Sequence, residues 1–245
     1  MPIIAERGYI IPAFGDIYVD CARELEKSII RHHPTAQVKI ITVEDLPQGD
    51  LGGFRNDAQL FRISPFRQTI KLEADMIAST SIDHWWSLFE HRDVVVSQGA
   101  RNFYDQTATS RYYRKIFDDN DLPDVYNAVT YWRLSKFAQE FFQLVGQIFE
   151  HWSDFKTLLK FPDEEPTTDV VYALAAKILG PELCTLPWGY GPQIVHMKQH
   201  MIGTLTQDWT KELVWEYADT LRIQTVAQWG LVHYYIKDWV NDIKQ

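Results

Sequence analysis

The chain has 245 residues, 46% hydrophobic and 23% charged, a mix that builds a sizeable core and excludes a disordered chain. Acidic side chains outnumber basic ones 33 to 24, for a formal net charge of -9. That balance argues against a dedicated nucleic-acid binder, which needs a basic surface, and leaves open only a local basic groove.

No window of about 20 apolar residues occurs, so no membrane span is expected. Residues 1–15 are broken by Glu6, Arg7 and Pro12 and do not read as a secretory leader. The two cysteines, Cys21 and Cys184, lie in apolar segments and read as reduced, buried thiols rather than a disulfide.

Strand and helix patterns alternate, which predicts an α/β fold with a central, mostly parallel sheet flanked by helices. A strand over 8–13 turns at Gly15 and Asp16 into a helix. There Val19, Ala22, Leu25 and Ile29 recur at helical spacing, and the helix ends near His33 and Pro34. A second strand is expected over 38–42 and a loop over 46–53. Ser64 and Pro65 read as a helix start, Ser capping and Pro fitting the first turn. A short buried strand over 69–73 follows, then a helix over 83–90 and a strand over 93–97. Another strand spans 128–133. Ser135 caps an amphipathic helix carrying Phe137, Phe141, Val145, Ile148 and Phe149. Thr167 or Thr168 caps the next, which runs through Val170, Val171, Leu174 and Ile178 to a stop at Gly180. Beyond Trp188 the pattern weakens, with extended stretches at 193–197 and 230–237. There is no internal repeat or linker, so residues 1–245 read as one domain.

The segment richest in chemistry is Lys71-Leu72-Glu73-Ala74-Asp75. Two carboxylates, two apart, stand where a buried strand ends, and ligands of open α/β sheets collect outside the carboxyl ends of strands. Hard oxygen ligands suit Mg²⁺ or Mn²⁺, which a diphosphate leaving group requires. The same spacing also occurs at ordinary solvated strand ends. Residues 71, 73 and 75 of an extended strand share a face, so Lys71 either pairs with the acids or reaches a phosphate.

Asp169 opens a helix, where an acid complements the helix dipole. His196 and Lys198 share one side of an extended stretch, and His233 with Lys237 forms a competing pair. A lone histidine in an apolar strand is more often structural. Residues 101–115 interleave Arg101, Tyr104, Arg111, Tyr112, Tyr113, Arg114 and Lys115. That mix suits a nucleic-acid backbone, a lid over phosphates or an amphipathic surface. The acidic run Asp118, Asp119, Asp121 and Asp124 reads as solvated loop. Trp188, between Pro187 and Gly189, could stack a sugar or base, while the other tryptophans read as packing. The sequence contains no P-loop, GxGxxG, GxSxG or HExxH motif.

The block Ser64-Pro65-Phe66-Arg67-Gln68-Thr69-Ile70-Lys71-Leu72-Glu73-Ala74-Asp75-Met76 resembles the segment of GT-A glycosyltransferases that ends in their Asp-x-Asp metal motif. The opening is similar to that family too: Ala13-x-Gly15, then Tyr18, Ala22, Leu25, Ser28-Ile29, Pro34 and a second strand ending in Ile41-Thr42. Tyr126-Asn127-Ala128-Val129-Thr130-Tyr131-Trp132-Arg133 resembles the strand that such enzymes place beneath donor sugar and acceptor. The overall look is that of short, soluble transferases encoded by tailed bacteriophages, some of which attach sugars to hydroxymethylated bases of phage DNA.

The resemblance implies a soluble, Rossmann-like GT-A domain. Its first half, about 1–125, would hold nucleotide and metal, and its second, about 126–245, would face the acceptor. It implies a metal-dependent glycosyltransferase that uses a nucleotide sugar, a UDP-sugar first, in the cytoplasm. Ala13, Phe14, Tyr18, Arg67, Lys71, Glu73 and Lys198 would contact the donor. Asp75, with Glu73 and His196, would hold Mn²⁺ or Mg²⁺, His233 being the alternative metal or phosphate contact. Asp169 would be the catalytic base if the reaction inverts, and Asn127, Tyr131 and Trp188 would face the acceptor. Glu73 stands where the family usually has Asp, which weakens its case as a direct ligand. Two further readings are a nucleotidyltransferase and a non-catalytic sugar- or nucleic-acid-binding module. The first usually has a Gly/Arg-rich phosphate loop, which Pro12-Ala13-Phe14-Gly15 is not.

Overall fold

The computed structural model describes residues 2–107, 115–187, 189–192 and 194–243. β1 (Ala5–Pro12) leads to Gly15, whose φ of 119° turns the chain into α1 (Asp16–His32). Glycine takes that angle without steric cost. β2 (Val38–Ile41) returns parallel to β1. A 3₁₀ stretch, Gly53–Gln59, runs into α2 (Leu60–Ile63), and β3 (Phe66–Leu72) follows directly.

The helix expected to start at Ser64 is therefore absent: a helix ends there instead. Ser64 has extended backbone (φ -60°, ψ 128°), the conformation that a following proline favours. Its hydroxyl bonds Thr69 Oγ1 at 2.6 Å rather than capping a helix.

β4 (Met76–Ala78), α3 (Trp85–Phe89), β5 (Val94–Gln98) and α4 (Lys115–Asp119) come next. β6 (Val125–Arg133) is followed by α5 (Lys136–Glu150), α6 (Trp152–Leu159), α7 (Thr168–Leu179) and α8 (Pro181–Cys184). Ser135 Oγ accepts from the Ala138 amide at 3.1 Å and Thr167 Oγ1 from that of Val170 at 3.5 Å, so both expected caps are in place. The chain then runs through β7 (Ile194–His196), α9 (Gln199–Ile202), β8 (Trp215–Tyr217), β9 (Leu221–Ile223), β10 (Val226–Ala227), β11 (Leu231–His233) and α10 (Val240–Ile243).

The central sheet has the order β2-β1-β3-β6-β5. β1 is parallel to β2 and β3, and β6 is antiparallel to both β3 and β5. Four strands therefore point one way and β6 alone opposes them, the mostly parallel, helix-flanked sheet expected of a GT-A-like fold. Alternation along the strands splits the apolar residues between two cores. Tyr9, Ile11 and Val95 face α1 and the C-terminal tryptophans, whereas Ile10, Val94 and Val96 face α5 and α7. A second sheet, β4-β11-β7, pairs His233 with Met76 on one side and with His196 on the other. The carboxyl ends of β1, β2 and β3 share one edge with the start of β6, where Leu72 pairs with Val129. No helix among the described residues is long and apolar enough to cross a membrane.

Candidate active site

That shared edge opens into a cleft of about 440 Å³. β1 contributes Pro12, with Phe14 and Tyr18 beyond it. The end of β3 contributes Lys71, Glu73, Ala74 and Asp75, and the start of β6 contributes Tyr126. Thr168 and Asp169 enter from the first turn of α7, and His196, Lys198, His233, Tyr235 and Lys237 from the ends of β7 and β11. Gly53, Phe54 and Asp57 line the remaining side.

The second sheet does what the central sheet alone cannot: it brings a histidine to the two carboxylates. His233 Nε2 lies 3.1 Å from Asp75 Oδ1 and Nδ1 lies 3.3 Å from Glu73 Oε2 and 2.5 Å from the Tyr126 hydroxyl. One ligand atom from each of Glu73, Asp75 and His233 falls within 4.8 Å of the others, the one such grouping among the described residues. Lys237 Nζ reaches the other Asp75 oxygen at 3.1 Å. The Asp75 backbone is fixed too, its carbonyl accepting from the Tyr234 amide at 3.1 Å.

The electrostatics follow from this crowding. Burial alone would raise the Asp75 pKa, but His233 and Lys237 outweigh it and hold the carboxyl well below the usual range. Burial pushes Glu73 up, with Asp75 and Asp169 adding to that and His233 and Lys71 opposing it. Burial would lower His233, yet Asp75 and Glu73 win and hold its imidazole above its ordinary value. Lys237 is raised because the attraction of Asp75 exceeds the cost of burial. Two carboxylates and an imidazole converging in this way form a donor set of the kind that holds a metal ion.

The other expected residues divide. Phe14 and Tyr18 line the cleft, while Ala13 is 1% exposed and packs in the core, its amide bonded to Ile41 O at 2.8 Å. Lys198 lines the cleft, its Nζ 5.4 Å from the Tyr235 ring centre. His196 also lines it, its ring 4.5 Å from that of His233 and its Nδ1 accepting from the Lys198 amide at 3.1 Å. His233, not His196, completes the grouping with the acids. Asp169 Oδ1 accepts from the Asn127 amide at 2.7 Å, which pins the first turn of α7 to β6.

Lys71 does not pair with Glu73 or Asp75. Its Nζ contacts Asp57 Oδ2 at 3.3 Å and donates to Asn127 O at 3.0 Å. Asp57 is the partner the sequence did not single out, because a lone acid in a polar stretch carries no pattern. Arg67 does not line the cleft: it sits at the far end of β3, 61% exposed, 3.7 Å from Glu6. Tyr131 does not face an acceptor. It pairs with Ile70 and Val95 in mid-sheet, is fully buried, and packs on Trp86 and Phe89. Asn127 is likewise fully buried, its side chain turned to Asp57 and Thr130.

Trp188 and residues 108–114 lie outside the described residues. Arg101 is structural: its guanidinium sits 3.8 Å from the Trp229 ring centre and pairs with Asp105 at 3.1 Å. His196, Lys198, His233 and Lys237, from the second half of the chain, reach the same cleft as Glu73 and Asp75 from the first.

Compared by sequence, the chain matches no protein-family profile and no curated protein. Compared by structure, it resembles the bifunctional glycosyltransferase WbbM in its apo form, with a TM-score of 0.50 and 10% identity, over 80% of this chain and 41% of that one. The chain thus spans about two fifths of WbbM. It also overlays on an active-site mutant of the galactosyltransferase LgtC (TM-score 0.49, 11% identity, 96% of this chain and 94% of that one). The apo form of mouse xyloside xylosyltransferase 1 gives 0.48 at 12% identity, over 94% and 97% of the two chains. At 10% identity the likeness to WbbM is one of fold alone, the α/β architecture of GT-A glycosyltransferases.

Proposed function

We propose that this chain is a metal-dependent glycosyltransferase that moves a sugar from a nucleotide-sugar donor to an acceptor hydroxyl. The observation that carries the reading is the convergence of Glu73, Asp75 and His233 at the carboxyl edge of the sheet, with Lys237 against Asp75. Asp75, Glu73 and His233 would hold Mn²⁺ or Mg²⁺, which would neutralise charge developing on the departing nucleoside diphosphate. His233 replaces His196 in the set expected from sequence.

Within that frame each residue has a task. Lys237 and Lys198 supply two cations for the phosphates. Phe14 and Tyr18 form the wall at the end of β1 for the base and ribose, in keeping with a UDP-sugar. Asp169, held by the Asn127 amide, accepts the proton of the acceptor hydroxyl in an inverting reaction. The resemblance of the sequence to phage-encoded transferases makes a hydroxymethylated base of phage DNA the first acceptor to offer, in a cytoplasmic setting.

The test is binding and slow hydrolysis of UDP- and GDP-sugars with Mn²⁺ present or chelated, wild type beside Asp75→Ala. Binding that needs metal and disappears in the variant is the expected result. Binding indifferent to both metal and Asp75 would sink the reading.

A further inference from the structure

We propose that Tyr235 is a positioning residue for the donor diphosphate, a strained aromatic that sets the two lysines of the cleft. The proposal rests on the glycosyltransferase reading and adds the element that shapes its phosphate subsite.

β11 ends at His233, and the chain must then turn to bring Lys237 back over Asp75. It does so at Tyr235. The Ile236 amide donates to Tyr234 O at 2.8 Å, closing a three-residue turn around Tyr235, whose φ is 67°. A γ-turn of this hand is rare and strained, and a bulky side chain at positive φ is a true outlier. Glycine would take the turn without cost. Strain of this kind persists where the surrounding structure holds it, and such sites cluster at ligand clamps.

What the turn gains is visible around Lys237. Its Nζ donates to Tyr235 O at 3.2 Å and stands 5.0 Å from the centre of the same residue's ring. Ring and carbonyl of one residue therefore both address the ammonium that meets Asp75 at 3.1 Å. Lys198, arriving from the end of β7, places its own ammonium 5.4 Å from that ring. Two like charges from separate strands would repel. The one ring of Tyr235 attracts both. Two cations drawn to one ring at the cleft complement the two phosphates of the diphosphate already proposed for it.

The experiment uses Tyr235→Phe, Tyr235→Leu and Tyr235→Gly beside wild type. UDP, inorganic pyrophosphate and inorganic phosphate are titrated by calorimetry with Mn²⁺ present, and Tm is recorded for each protein. Tyr235→Phe keeps the ring and binds UDP within about twofold of wild type. Tyr235→Leu and Tyr235→Gly bind UDP and pyrophosphate about tenfold more weakly, the scale of two exposed cation–π contacts, with inorganic phosphate little changed. Tyr235→Gly relieves the turn, so its Tm equals or exceeds that of wild type while its binding falls. A purely structural tyrosine would show the reverse, a lower Tm and intact binding, and that result overturns the proposal. Unchanged pyrophosphate binding in both Leu and Gly variants overturns it alone. Wild type that binds none of the three ligands overturns the glycosyltransferase reading with it.

Discussion

Lys71→Met tests whether the floor of the cleft is a structural ion pair or a donor contact. The Lys71 side chain is 4% exposed and that of Asp57 8%. Asp57 Oδ2 receives Lys71 Nζ, Asn127 Nδ2 and the Tyr172 hydroxyl, each at 3.3 Å. Methionine keeps the bulk of the lysine stem and removes its charge, leaving a buried carboxylate with two neutral donors. Removing one partner of a buried pair costs about 3–5 kcal/mol. In a chain of this size each kcal/mol lowers Tm by about 2–4 °C, so the expected drop is about 6–20 °C. Asp57→Asn in the same protein removes the stranded charge and keeps an oxygen for Tyr172. The double variant should therefore recover about 1–3 kcal/mol of the summed losses, as contacting residues do. Guanidinium unfolding followed by tryptophan fluorescence measures all three proteins. Single losses below about 1 kcal/mol that simply add would mean a solvent-screened pair, and the argument would be refuted. A Lys71→Met protein as stable as wild type that no longer binds UDP would return Lys71 to the donor.

Further outcomes can be checked cheaply. A Cβ on Gly8 would lie 2.4 Å from the Phe66 ring, so Gly8→Ala should cost about 1–3 kcal/mol by overpacking, read from the denaturation midpoint. Burial pushes the Cys184 thiol up to about 12 and also raises that of Cys21. Both should therefore resist a thiol reagent at pH 8 in the native protein and react at once in denaturant. Lys237→Met should weaken UDP binding about tenfold or more, the scale of one lost charged hydrogen bond; equal affinity would remove Lys237 from the phosphate subsite. Arg67→Ala, at an exposed position, should change stability by no more than about 0.5 kcal/mol and leave donor binding intact; a loss of binding would reverse its placement outside the cleft.

What could be read in advance was local. Short apolar stretches marked β1, β3 and β6, Ser135 and Thr167 marked two helix starts, and two acids after a buried strand marked one side of the cleft. Ser64-Pro65 misled because the same dipeptide serves a helix start and an extended lead into a strand, and only the pairing of β3 with β1 decides. The family resemblance of residues 126–133 put Tyr131 on the acceptor side, but a resemblance does not say which end of the strand meets the cleft; register against Ile70 and Val95 places it in mid-sheet. The sequence put His196 ahead of His233, whereas the grouping takes His233, because their distances to Asp75 depend on how β4, β11 and β7 pair, a fact held in no short window. Asp57 was invisible for a related reason: its meaning comes from Lys71, Asn127 and Tyr172, which surround it only after folding.

The placement of β11 between β4 and β7 has a consequence for the order in which the molecule comes together. The five-stranded sheet draws only on residues 5–133, so it can assemble while the histidine side of the cleft is still elsewhere. The cleft closes by contacts distant in sequence, which form slowly. A small sheet added last is also the part expected to open first. A ligand that bridges Asp75 and His233 spans that seam and acts as a rivet across it. Hydrogen exchange at the amides of Tyr234, Ile236 and Met197 should report the rivet directly, slowing on ligand binding while amides in the middle of β3 hold their rate.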